Sequence, residues 1–149
     1  METITRNDYI TYREWHRAVL SGEEVILRNT SALEHLELFV GYGNDSTIDV
    51  YAKVSGTNRN VNYHIVESFD GIDSIFIGGL YCTTPSQTFN DMLDVFHDEE
   101  LSDEQALIMG LSDYYYTHGE SFNGLVIKEE HAELFEEAKE WALEYYKWG

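Results

Sequence analysis

The sequence predicts an α+β fold in which an antiparallel sheet of four to five strands, a meander, packs against about four helices. Three observations lead to this prediction. Apolar and polar residues alternate through the middle of the chain, apolar residues recur at helical spacing towards both ends, and turn residues separate the segments. The single proline, Pro85, lies between the β-rich and helix-rich parts without a Gly/Ser/Pro-rich linker. We therefore predict one domain over residues 1–149.

Length and composition are sufficient for one hydrophobic core. A chain of 149 residues buries roughly 68–70% of the surface that its unfolded form exposes. Hydrophobic residues make up 43% of the chain and aromatic residues 14%, which excludes a disordered acidic tail. The one cysteine, Cys82, cannot form an intramolecular disulfide, and the sequence contains neither a signal-peptide pattern nor a long apolar run. These features predict a cytoplasmic protein.

Capping and turn residues define the elements of the N-terminal half. Asp8 can cap a helix that runs to about Leu20, and Ser21 with Gly22 ends it. The turn residues at 43–46 predict a hairpin between the strands on either side. Strands are predicted, in order, over residues 24–28, 36–42, 47–54, 61–69 and 74–81.

The C-terminal half is predicted to be mainly helical. Apolar residues at helical spacing follow Pro85 and predict a helix there. Ser102 and Gln105 form a capping box before a further helix over about 106–116. A short strand over about 122–127 precedes the last helix of the chain.

The last helix carries the strongest functional signal, a stripe of glutamates opposite an apolar side. The whole chain has 28 acidic and nine basic residues and a net charge of −19. The stripe consists of Glu129, Glu130, Glu133, Glu136, Glu137, Glu140 and Glu144. Over a rise of about 22 Å these carboxylates give one charge per roughly 3.2 Å, close to the roughly 3.4 Å along one strand of B-form DNA. The stripe therefore predicts a cationic partner, and the alternative is a solvated face of an acidic protein.

Like charges four residues apart repel, so stability alone does not favour this stripe. Further acids follow the helix after Pro85, and aromatic residues of a kind common in protein interfaces end the chain. The predicted partner-binding residues are Glu129, Glu133, Glu136, Glu137, Glu140, Glu144, Asp98, Glu99, Glu100, Tyr146 and Trp148. Aromatic packing in the core or at helix ends is the alternative for the tyrosine and tryptophan clusters. Because successive helical residues point in different directions, at least one ring of Tyr114–Tyr116 is predicted to be exposed.

Known catalytic and metal-binding motifs are absent from the sequence. The six histidines show neither His-Glu-x-x-His nor Glu-x-x-His spacing, and no Gly-rich phosphate-binding fingerprint occurs. Cys82 is predicted to be a buried thiol, and the acidic run 97–100 a polar helix end rather than a cation site. The strong negative charge disfavours direct binding to nucleic acid or membranes. We therefore predict no cofactor and no metal site, and the oligomeric state, monomer or dimer, stays open.

In size, acidity and lack of catalytic motifs the chain resembles the small acidic anti-restriction and anti-CRISPR proteins of phages and mobile elements. The resemblance implies a non-enzymatic DNA mimic that inhibits a restriction, CRISPR or repair nuclease, in the bacterial host's cytoplasm if the chain is phage-encoded. An immunity or antitoxin-type protein that neutralises a basic toxin would show the same acidity. A small enzyme using a carboxylate and a histidine, such as Glu67 and His64, is the third alternative.

Overall fold

A computed structural model describes residues 11–39, 47–96 and 104–148, with side chains as far as Tyr145. Five helices and five strands lie within these residues. The helices are α1 (Tyr12–Leu20), α2 (Asn29–His35), α3 (Pro85–Asp94), α4 (Glu104–Thr117) and α5 (Ala132–Trp148), and the strands are β1 (Val25–Leu27), β2 (Ile48–Ala52), β3 (Val61–Ile65), β4 (Ser74–Ile77) and β5 (Leu80–Thr83). A short 3-10 helix over Glu129–His131 leads into α5.

The five strands form one mixed sheet in the order β3-β2-β1-β5-β4. β1 is antiparallel to β2 and β4 to β5, whereas β1 pairs with β5, and β2 with β3, in parallel. The predicted α+β class is confirmed, but the predicted antiparallel meander is wrong. β1 is the central strand of the sheet, and all three of its residues are buried, which is typical of a strand covered on both faces.

The predicted strand over 36–42 is wrong for its described part, 36–39, which follows helix α2 and contains no strand. The predicted hairpin does not form from it, since β2 pairs with β1 and β3. Positions 31–35 of α2 are all buried, including the polar Ser31, Glu34 and His35, so this helix does not have the solvated polar face of an amphipathic helix. Helix α2 was not predicted, and with it the described helices number five, whereas about four were expected.

Two other predicted strands also differ from the structure. The segment 74–81 is interrupted by Gly78 and Gly79, whose φ angles of 59° and 89° form the turn between β4 and β5. Residues 122–127 form no strand. Instead α3 provides the backbone partners: Ser86 Oγ accepts from Val126 N at 2.9 Å, and Asn90 Nδ2 donates to Val126 O at 2.9 Å.

Helices α1 and α3 begin as the capping rules expect, whereas α2 begins after Arg28 without a side-chain cap. Thr11 caps α1 by accepting a hydrogen bond from Glu14 N at 3.1 Å, and Thr84 caps α3 with Pro85 in its first turn. The predicted caps Asp8 and Ser102 lie outside the described residues. No described helix is both long enough and apolar enough to cross a bilayer.

Two hydrophobic clusters hold the elements together. One lies between α1, α2 and one face of the sheet and includes Trp15, Leu27 and Val50. The other joins α2, α3, α4 and α5 and includes Leu33 and Phe89. Because α2 contributes to both clusters, it connects the sheet to the helical part that carries α5.

Candidate functional site

Helix α5 has one apolar side and one acidic side. Phe135, Ala138 and Ala142 are buried in the cluster that α5 shares with α4. An α-helix turns about 100° per residue, so the four glutamates at 133, 137, 140 and 144 lie within an arc of about 60°, opposite those buried residues. The packing on α4 therefore fixes the direction in which the carboxylates point.

The acidic array is defined here as Glu133, Glu136, Glu137, Glu140 and Glu144. All five side chains are exposed, as are Glu129 and Glu130 in the preceding turn. Lys139 Nζ lies 2.8 Å from Glu136 Oε1 at the flank of the array, and it also lies over the rings of Phe122 and Phe135. Within the described side chains no cation pairs with the other four members of the array.

The structure places only some of the predicted partner-binding residues. Asp98, Glu99 and Glu100 lie outside the described residues. Tyr146 and Trp148 belong to α5 by their backbone, and their side chains are not described. Two aromatic residues outside the predicted set are exposed on the last two helices. The exposed fraction is 66% for Tyr116 on α4 and 40% for Tyr145 on α5.

The prediction that one ring of Tyr114–Tyr116 is exposed is confirmed. Tyr114 is 4% exposed and packs in the helical cluster, whereas Tyr116 faces solvent. Next to Tyr145 lies an open groove of about 370 Å³, which is lined by Glu104, Gln105, Ile108, Met109 and Tyr145. The C-terminal end of the acidic array therefore borders a surface with apolar contact area.

The structure shows the surroundings of the candidate catalytic residues Cys82, His64 and Glu67. Cys82 is fully buried, and burial raises the pKa of its thiol to about 12, so the thiolate needed for nucleophilic attack is disfavoured. His64 and Glu67 are both exposed, and the described contacts contain no ion pair or hydrogen bond between them. The His64 ring instead lies edge-on to Tyr51, with ring centroids 5.3 Å apart.

A buried cluster of two histidines and a glutamate was not predicted. His16 and His35 are fully buried and Glu34 is 3% exposed. The two Nδ1 atoms lie 3.1 Å apart, His35 Nε2 lies 2.6 Å from Ile77 O, and His16 Nε2 lies 3.6 Å from Glu34 Oε1. Because a carbonyl only accepts, His35 Nε2 carries a proton. When His35 is neutral, its Nδ1 carries no proton and can only accept a hydrogen bond. The N–H group at His16 Nδ1 therefore donates to His35 Nδ1.

The His35 side chain makes stability depend on pH. Burial lowers the pKa of His35, and Arg13 and Arg17 lower it further, while the hydrogen bond to Ile77 and the charge of Glu37 raise it. The unfolded chain therefore takes up a proton near pH 6.5 that the folded chain takes up only at lower pH.

We expect the free energy of unfolding to decrease as the pH falls below about 6.5, by up to about 1.4 kcal/mol per pH unit from this group. Urea unfolding of the wild type and of His35→Gln between about pH 8 and pH 5 would check this. Glutamine keeps an N–H for Ile77 O and does not titrate, so the difference between the two stability curves should decrease below pH 6.5. Parallel curves would contradict the role of His35. The many exposed acids affect both proteins equally.

A second unpredicted cluster joins α3 to the start of α5. His131 is 8% exposed, and its Nε2 lies 2.8 Å from Asp94 Oδ1 and 4.0 Å from Glu130 Oε1. Asp94 and His131 are far apart in the sequence and belong to no shared motif, so only the tertiary structure reveals the cluster. It lies at the N-terminal end of the helix that carries the acidic array.

An exposed apolar patch lies on strands β4 and β5. Phe76 and Tyr81 are 64% and 51% exposed and meet edge to face, with centroids 5.0 Å apart. They border a cavity of about 440 Å³ that is also lined by Glu23, Glu24, Ile26 and Phe69. Exposed apolar patches of this kind are typical of contact surfaces.

No protein-family model, curated protein or solved structure matches the chain. The evidence for the acidic array as a functional site therefore comes from the geometry of this structure alone. The distinguishing property of the array is the combination of exposed carboxylates, of which only Glu136 is paired among the described side chains, with a helix that is anchored along its opposite side.

Proposed function

We propose that this protein is a non-enzymatic inhibitor that binds a nucleic-acid-processing protein, such as a restriction, CRISPR or repair nuclease, through the acidic array. One observation supports the proposal above all: Glu133, Glu137, Glu140 and Glu144 are exposed along one side of α5, and no described cation pairs with them. Such an arrangement keeps four like charges close together at a cost in helix stability. A function in binding a cationic surface accounts for that cost.

The spacing of the array suits a surface that binds phosphates. Successive glutamates of the set 133, 137, 140 and 144 are separated by three or four residues, or about 4.5–6 Å of helix rise. A groove built for nucleic acid presents lysine and arginine side chains to a polyanion whose charges lie about 3.4 Å apart along one strand, somewhat closer together than in this set. Electrostatic attraction between such surfaces speeds encounter and excludes partners of the wrong charge.

The anchoring of α5 contributes to affinity. Ala138 and Ala142 are completely buried against the helical cluster, so the helix does not have to become ordered when it binds. Binding by a preformed helix avoids much of the entropy cost that a disordered acidic segment would incur. A rigid carboxylate array is also more selective, because the charges keep fixed positions relative to one another.

Competition with duplex DNA tests the proposed function. The purified protein, immobilised on beads, is expected to retain a nuclease from a lysate of a bacterium that carries restriction or CRISPR systems, at about 50 mM salt. A short duplex DNA should release the captured nuclease, as should about 0.5 M salt, because both compete for the same cationic groove. Captured protein that stays bound in the presence of duplex DNA would contradict DNA mimicry and favour the immunity-type alternative.

A further inference from the structure

Three potential metal ligands converge where α3 ends and α5 begins. Asp94 is the last residue of α3, and Glu130 and His131 lie in the 3-10 turn before α5. One ligand atom from each of these side chains lies within 4.8 Å of the other two. The three groups come from two separate segments, so the fold itself brings them together.

The imidazole of His131 is buried and points into this cluster. Its Nε2 has no hydrogen-bond partner within the described residues, although Asp94 Oδ1 is only 2.8 Å away. Asp94 Oδ1 therefore lies to one side of the direction in which an N–H bond at His131 Nε2 would point, so the two atoms do not form a hydrogen bond. In the tautomer with the proton on Nδ1, the Nε2 lone pair is free to bind a cation next to that oxygen.

The distances fit a coordinated ion. Metal–ligand bonds of about 2.1 Å at the tetrahedral angle place two ligand atoms about 3.4 Å apart. His131 Nε2 lies 2.8 Å from Asp94 Oδ1 and 4.0 Å from Glu130 Oε1. Small side-chain movements would therefore bring all three atoms to bonding distance from one central ion.

We propose that Asp94, Glu130 and His131 bind one divalent first-row metal ion, with Zn²⁺ as the best match to one imidazole and two carboxylates. The side chains of Asp94 and Glu130 are 53% and 67% exposed, so water completes the coordination on the solvent side. The ion would tie the end of α3 to the first turn of α5 and stabilise the folded chain by mass action. This site does not depend on the proposed function.

Titration of the metal-stripped full-length protein with ZnCl₂ tests the site. In calorimetry at about 0.15 M salt, which screens diffuse attraction to exposed acids, we expect saturable binding of one ion per chain and a melting temperature that rises with Zn²⁺ concentration. His131→Gln and Asp94→Asn are each expected to weaken binding at least about tenfold. The ¹⁵N resonance of His131 Nε2 should shift on Zn²⁺ addition.

Matched variants separate this site from other sources of binding. His64→Gln removes an exposed histidine elsewhere. Neutralising Glu133, Glu137, Glu140 and Glu144 removes four of the five charges of the neighbouring acidic array, so both variants should keep the ion. If His131→Gln fails to fold, Glu130→Gln, which changes an exposed side chain, decides the question. No saturable uptake by the wild type, or unchanged affinity in Asp94→Asn and Glu130→Gln, would overturn the proposal and leave an ordinary ion pair.

Discussion

Replacing Glu133, Glu137, Glu140 and Glu144 together by glutamine is expected to weaken binding to the captured nuclease by at least about a hundredfold at about 50 mM salt. Four charges that face a cationic groove would be lost, while side-chain size and hydrogen-bonding capacity are kept. The association rate should fall most, because it depends on long-range attraction. Surface plasmon resonance with the immobilised nuclease at several salt concentrations would measure the rate and the reduced salt dependence.

The fold of this variant should be intact or more stable. The replacement removes repulsion between glutamates three or four residues apart, each pair of which costs a few tenths of a kcal/mol. Circular dichroism and urea unfolding would show an unchanged helix content and an equal or higher unfolding midpoint. A loss of binding could then not be attributed to unfolding.

Total charge is controlled by a second variant with the same change in net charge. Glu67→Gln, Asp70→Asn, Asp73→Asn and Glu120→Gln neutralise four acids that are exposed outside α5. If position matters, this variant binds nearly as tightly as the wild type. Equal losses in the two variants would mean that only the overall negative charge attracts the partner, and the array would have no special role.

Local patterns in the sequence account for the parts of the fold that were predicted correctly. Helix α5 shows the helical period, with Phe135, Ala138 and Ala142 on one side and the acidic array on the other, so both its presence and its exposed face could be predicted. Helix α3 begins at Pro85 after a threonine cap, which is a recognised starting signal. These features depend only on residues that are close in sequence.

Long-range contacts account for the errors. Residues 122–127 contain enough apolar side chains for a strand, but Ser86 and Asn90 of α3 bind the backbone of Val126 in place of a neighbouring strand. The parallel pairing of β2 with β3, and of β1 with β5, likewise has no signature in local sequence. Periodicity indicates which residues can form a strand, whereas the choice of partner depends on the whole chain.

The two titratable clusters could not have been predicted for the same reason. His16 and His35 meet across a separation of 19 residues, and His131 reaches Asp94 on another helix. Neither pair has the short spacing that marks a metal or catalytic motif. The acidic array, by contrast, is formed by one helix, so its geometry follows from the sequence once the buried side of that helix is known.

Gly110→Leu is expected to lower the free energy of unfolding by about 3 kcal/mol. Gly110 lies on α4 where the helix meets α2 and α3, and a Cβ there would stand 2.8 Å from Leu33 Cδ1 and 3.3 Å from Phe89 Cε1. Both neighbours are completely buried, so neither side chain can move into free space. A leucine would therefore force α4 away from α2 and α3.

Three further variants test whether close packing is the cause. Gly110→Ala adds only the Cβ, and its gain in helix propensity of about 1 kcal/mol should roughly offset the crowding. Leu33→Ala alone should cost about 2–5 kcal/mol, whereas the double variant Gly110→Leu with Leu33→Ala should be clearly more stable than the sum of the single changes predicts. Urea unfolding at constant pH measures the four variants and the wild type. Strict additivity would show that Gly110 and Leu33 do not compete for the same space. In that case the close contact between α4 and α2 would not determine the position of α4. It would then not determine the position of α5 and the acidic array either.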